Sequence, residues 1–280
     1  MGKDPAMTNA VADAPAWADL HALGRDMRLE YRWIAPERRD APLLVFLHEG
    51  LGSISMWKDW PQRACAAAGC RGLVFSRYGH GQSTPRQAGE RRSVQYLHDE
   101  ARDALPALLA ALGVDAGRDR PVLFGHSDGG TIALLYAAMY PRAVAGIVVA
   151  APHIFVEDIT VANIAVARQA YLETDLPAKL GRHHIDADSA FWAWNDTWLS
   201  PPFRGWNIEA SLPDIRCPVL AMQGVDDEYG TLEQIRGIRR GAPQTRVLEI
   251  PACGHSPHKD QPQVVIAAVA GFVAGLQQAA

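Results

Sequence analysis

The chain predicts an α/β domain built on a mostly parallel central sheet with helices on both faces. Three observations lead there. Short continuous apolar runs recur, among them LLVFLH at 43–48, GLVFS at 72–76 and VAGIVVAA at 144–151. Such runs suit strands buried on both faces of a sheet. Stretches of helical spacing separate them, and strand–helix alternation implies parallel strands with crossover helices. The length, 280 residues with 48% hydrophobic and 21% charged, is ample for one large core.

The elements follow in order. Residues 1–16 read as a disordered or vector-derived N-terminus, with Met7 a possible native start. Residues 20–34 predict two strands joined near Gly24-Arg25-Asp26, and 43–48 a buried strand. A helix is expected over 56–69 with Pro61 early, a strand at 72–76, and a helix from about 94 to 112 ending at Gly113. PVLFGH is the next strand, 129–140 a helix and 144–151 a strand. The rhythm then stops. Residues 152–215 have helical stretches and four tryptophans, Trp192, Trp194, Trp198 and Trp206, but no apolar strand run. It resumes with CPVLAMQG, a helix at 231–240, the strand TRVLEI and a final helix at 262–278. The expected organisation is thus a core of 17–151 and 216–280 with a helical cap inserted at 152–215.

Bulk properties exclude several classes. A net charge of −4 offers no footprint for nucleic acid or an anionic membrane surface. No apolar run is long enough to cross a bilayer. The N-terminus lacks a basic region followed by an apolar one, so no signal peptide is expected. The four cysteines, Cys65, Cys70, Cys217 and Cys253, have no metal-binding spacing and suit a reducing cytoplasm.

The chemistry centres on GHSDGG, 125–130. A G-x-S-x-G pattern alone is weak, because glycine is common. Here it follows a buried strand and opens a helix, the setting of a nucleophile elbow. Ser127 would take a strained backbone conformation and project its hydroxyl above the sheet. Side chains at Gly125 and Gly129 would collide across so tight a turn. A serine needs a base, and the base an orienting carboxylate. In this architecture the acid and then the histidine follow the serine along the chain. Asp226, Asp227 and Glu228 follow the strand LAM, and His255 follows TRVLEI and Gly254. His258 is expected at the surface, and His126 reads as structural.

Together these residues resemble the α/β-hydrolase superfamily, in the capped branch of small esterases, lactonases and C–C bond hydrolases. The resemblance runs over nearly the whole chain after residue 17. It rests on LHEGLG at 47–52, SRYGHGQS at 76–83, GHSDGG, GVDD at 224–227 and GH at 254–255. It implies the α/β-hydrolase fold. It also favours Asp227 over Asp226, since the family's acid stands three residues after a glycine, here Gly224. It implies an oxyanion hole from the backbone N–H groups of Gly50 and Asp128. Glu49 departs from the family's His-Gly-x-Gly loop. It either turns away and ties down the loop, or binds a cationic or hydrogen-bond-donating part of the substrate. Epoxide hydrolases and haloalkane dehalogenases of this fold use Asp as nucleophile, so Ser127 argues against them. Ring-cleavage C–C hydrolases have Asn before the serine and Trp after the histidine, where this chain has His126 and Ser256.

The cap carries four basic and nine acidic side chains, which disfavours polyanionic substrates. Of its aromatics, Trp192 and Trp194 are the candidates for meeting substrate. The expectation is a serine hydrolase acting on a small neutral carboxylic ester or lactone through Ser127, Asp227 and His255. It needs no metal or organic cofactor, and its partner is a small-molecule substrate, with the protein a monomer or homodimer. A C–C or amide hydrolase with the same triad is the alternative, and a slow-turnover ligand-binding protein the next.

Overall fold

A computed structural model of the chain describes residues 16–279 except residue 88. The N-terminal reading of 1–16 therefore lies outside the described residues but for Ala16, which opens the first strand.

Eight strands form one sheet in the order β1-β2-β4-β3-β5-β6-β7-β8. β1 (Ala16–Ala22) and β2 (Arg25–Ile34) are an antiparallel hairpin. Leu23 and Gly24 connect them with φ of 54° and 71°, the two positive values a type I′ turn needs. β2 also pairs antiparallel with β4 (Arg71–Phe75). From β4 onward through β3 (Leu43–Leu47), β5 (Val122–His126), β6 (Gly146–Ala150), β7 (Val219–Gly224) and β8 (Thr245–Ile250) every pairing is parallel.

Strand alternation divides the core between the two faces. Leu43, Val45 and Leu47 of β3 join one cluster with α4 (Asp128–Met139). Leu44 and Phe46 join the other, with α1 (Trp60–Ala68) and the C-terminal helix, Pro262–Ala279. The stretch expected as one helix from 94 to 112 is three segments. These are α2 (Tyr96–Asp99), a π-helical stretch over Glu100–Ala104 and α3 (Leu105–Ala111). Pro106 is the physical cause, since its ring cannot sit against the carbonyl four residues back. That carbonyl, of Arg102, accepts instead from the Tyr140 hydroxyl at 2.8 Å.

β3 has β4 on one side and β5 on the other, so the chain leaves their C-terminal ends in opposite directions. A crevice opens at such a switch point. Between β6 and β7 the chain covers it with α5 (Asp158–Glu173), α6 (Leu176–Leu180), α7 (Ala187–Trp198) and two 3-10 turns. The Asp186 side chain starts α7 by accepting from the Ser189 N–H. No described helix is long and apolar enough to cross a membrane.

Candidate active site

β5 ends in Gly125-His126 and α4 begins at Asp128, leaving Ser127 alone to make the turn. Its φ of 52° and ψ of −118° are strained for a residue with a side chain. Its N–H donates to the Ala150 carbonyl at the end of β6, which holds the turn down. The flanking glycines are obligatory in the way the sequence suggested. A Cβ on Gly125 would lie 2.1 Å from the Gly129 carbonyl oxygen, and one on Gly129 2.1 Å from that of Leu47.

Two late residues converge on this turn. His255 Nε2 stands 3.0 Å from Ser127 Oγ, and its Nδ1 lies 2.9 and 3.1 Å from the two carboxylate oxygens of Asp227. Asp227 is 7% exposed, whereas Asp226 points to solvent. Burial works against the Asp227 charge, but its hydrogen bonds with His255, then the Tyr229 N–H, hold the carboxyl below its usual range. The spacing from Gly224 has a steric origin, since a Cβ there would meet the Cys253 carbonyl at 2.0 Å. The His255 backbone is fixed at both ends. Its N–H donates to Glu228 Oε2 at 3.1 Å, and its carbonyl accepts from His126 Nε2 at 2.7 Å.

The loop after β3 lies across from the serine. The N–H groups of Gly50 and Asp128 have no acceptor among the described residues. The Glu49 carbonyl, on the same peptide as the Gly50 N–H, accepts from His48 Nδ1 at 2.7 Å and from the buried Arg77 guanidinium at 2.9 Å. His48 Nε2 accepts from the Arg77 N–H, which fixes the tautomer. Two donors on that carbonyl polarise the peptide and strengthen its N–H as a donor. His184, from the segment between β6 and β7, donates Nε2–H to the Leu51 carbonyl and accepts from the Gly81 N–H. Asp128 is buried, its carboxylate taking a hydrogen bond from Tyr96 and lying 3.6 Å from Arg77. Tyr96 in turn accepts from Trp198 of α7.

A cavity of about 140 Å³ sits over Ser127, lined by Gly50, Leu51, Ile164, Trp194, Trp198 and Tyr229 among others. Trp194 packs so closely that a Cβ on Gly50 would lie 2.4 Å from its Nε1. Trp192 is a correction. It lines a separate hollow with Arg91 and Asp188, and its ring packs on Tyr171 and Phe191 under the Arg168 guanidinium. Residues two apart on a helix face opposite ways, so Trp192 and Trp194 cannot share the cavity. Trp198, four residues beyond Trp194, does, and helical spacing alone would have found it. His258 is a second correction, being 3% exposed against Trp57 and Trp60. Glu49 lines the cavity rim with its carboxylate turned toward His126 and Lys259. His153 and Tyr96 carried no sequence signal, because they reach the site only through the crossing of distant segments. Among the described residues no three His, Cys, Asp or Glu side chains are placed to hold a metal.

Known proteins share this arrangement of strands. The chain is 28% identical over 160 residues to Epoxide hydrolase 4 of Mus musculus, covering 53% of this chain but only 42% of that protein. It is 25% identical over 264 residues to the sn-1-specific diacylglycerol lipase ABHD11 of Mus musculus, covering 83% of this chain and 81% of that one. The chain thus spans less than half of Epoxide hydrolase 4. The enol-lactonase from Burkholderia xenovorans LB400 superposes with a TM-score of 0.70 at 20% identity, covering 89% of this chain and 97% of that one. The thermophilic esterase from Thermogutta terrifontis gives 0.68 at 19%, covering 94% and 99%. At such identities the likeness speaks for the fold. A profile of the alpha/beta hydrolase family matches residues 44–268, from β3 into the C-terminal helix, and the chain belongs to that family.

Proposed function

We propose that the protein is a serine hydrolase that cleaves a small, neutral carboxylic ester or lactone through an acyl-enzyme on Ser127. The observation that carries this reading is the chain of contacts from Ser127 Oγ through His255 to the buried Asp227. His255 takes the hydroxyl proton as Ser127 attacks the carbonyl carbon. Asp227 accepts from Nδ1–H, which leaves Nε2 bare to receive that proton, and it stabilises the imidazolium formed. The N–H groups of Gly50 and Asp128 hold the oxyanion, fixed before the charge develops. His255 then returns the proton to the leaving oxygen, and water, activated by the same ring, releases the acid. The positive end of α4 at Ser127 favours the same charge.

The cavity supports a short acyl group. Its volume of about 140 Å³ is small beside ordinary ligand pockets of roughly 300–1,000 Å³. Its tryptophan and leucine walls suit an uncharged one.

Intact-protein mass after exposure to a small fluorophosphonate tests the assignment. A single adduct on the wild type and none on Ser127→Ala is the expected result. An unlabelled, folded wild type overturns it. A panel of short-chain esters, lactones and amides then ranks the bond cleaved.

A further inference from the structure

Glu49 and His126 meet beside the reacting groups, yet neither takes part in the proton transfers above. His126 Nε2 lies 2.7 Å from the His255 carbonyl oxygen. A carbonyl only accepts, so Nε2 carries a proton. Nδ1 of the same ring lies 3.4 Å from Glu49 Oε2, a long contact but within reach. The ring thus faces an oxygen acceptor at each nitrogen. A neutral ring would turn its bare Nδ1 lone pair toward a carboxylate, and exchanging the two nitrogens leaves the same conflict. One further proton resolves it. Lys259 Nζ, 3.8 Å from Glu49 Oε1, favours the charged carboxylate and so places that proton on the ring.

We propose that Glu49 and His126 form a partly buried carboxylate–imidazolium pair that positions His255 through its carbonyl and cancels the charge Glu49 would place beside the oxyanion site. The inference rests on the Ser127 reading. It explains why an acidic residue is tolerated in the loop that supplies the Gly50 N–H, and why a histidine precedes the serine.

The surrounding groups agree. His258 packs its ring 4.8 Å from that of His126. Burial, then repulsion from His126, pushes the His258 imidazole well below its usual range, so it adds no competing charge. Lys259 Nζ is 3.8 Å from Glu49 Oε1 on a half-exposed side chain, where solvent weakens its pull. The His255 ring lies 5.3 Å away and is itself paired to Asp227. Loss of the pair's proton would leave a net negative charge beside a developing oxyanion and a lone pair facing a carboxylate. Turnover therefore falls at alkaline pH. In Glu49→Gln the amide donates to Nδ1 of a neutral His126, and that fall disappears.

The test is nitrogen NMR of protein labelled in its histidine rings, with His126 assigned by its loss in His126→Gln. Both His126 nitrogens should be protonated at neutral pH in the wild type, and Nδ1 should be bare in Glu49→Gln. A bare Nδ1 in the wild type overturns the pair, whether or not any variant folds. The rate of Ser127 labelling by a neutral fluorophosphonate, followed across pH, gives the second readout. The alkaline decline should be present in the wild type and absent from Glu49→Gln. The same decline in both overturns the charge-cancelling role. Absence of any labelling at Ser127 counts against the serine-hydrolase reading, and the ring protonation then decides the pair by itself.

Discussion

Ser127 is held at φ 52°, a value that costs a residue with a side chain about 1–3 kcal/mol. Its N–H bond to Ala150 and the absence of side chains at Gly125 and Gly129 sustain that conformation. At this scale the sharpest prediction separates two adjacent acids. Asp227→Asn should lower kcat on an ester substrate by on the order of 10⁴-fold, since the imidazole loses the acceptor that sets its tautomer. Asp226→Asn, altering an exposed side chain, should stay within about twofold. Steady-state kinetics on the two variants decides, and the opposite ranking would reassign the acid. The sequence left these two residues open until a family spacing chose between them. The contact that distinguishes them spans 28 positions of chain and follows from how β7 and β8 lie side by side. His126 shows the same limit. Its neighbours in sequence hide that its partners are Glu49 and the His255 carbonyl.

At the scale of elements, the strand–turn–helix around Ser127 depends on close backbone approach. A Cβ at residue 129 would meet the Leu47 carbonyl at the end of β3, where neither partner is a flexible side chain. Gly129→Ala should therefore cost about 3 kcal/mol or more of stability. Gly205→Ala, where nothing lies within 4 Å, should be nearly neutral. Urea denaturation of both variants checks the pair, and equal midpoints would contradict the packing described. Strands were the most legible elements, because each is a short continuous apolar run with buried neighbours on both faces. The stretch predicted as one helix from about 94 to 112 is broken at Pro106, which in sequence signals a disturbance without saying which. The π-helical stretch and the Tyr140 hydrogen bond to Arg102 are a tertiary solution to it. Trp192 lies off the cavity for a simpler reason, since helical geometry pairs Trp194 with Trp198 instead.

Across the whole molecule, five histidines are buried and held below their usual range: His48, His80, His153, His184 and His258. Burial is the first cause in each. His184 joins the segment between β6 and β7 to the loop after β3. In the unfolded chain they bind protons near pH 6.5, whereas in the folded state they resist protonation. The unfolded state therefore binds more protons as pH falls, and stability drops with it. Thermal midpoints should fall as pH drops below about 6.5, each ring contributing up to about 1.4 kcal/mol per pH unit. A midpoint unchanged down to about pH 5 would show that the rings are hydrated or paired differently. What the sequence determined by itself was the sheet, the serine at its elbow, the interruption by helices, and the late acid and histidine. These are written in local periodicity, glycine placement and chain order. Tertiary structure alone decided which aspartate faces His255, which tryptophans roof the cavity, and that Glu49 pairs with His126. Those outcomes depend on the distance and direction between side chains brought together by packing, which no local pattern encodes.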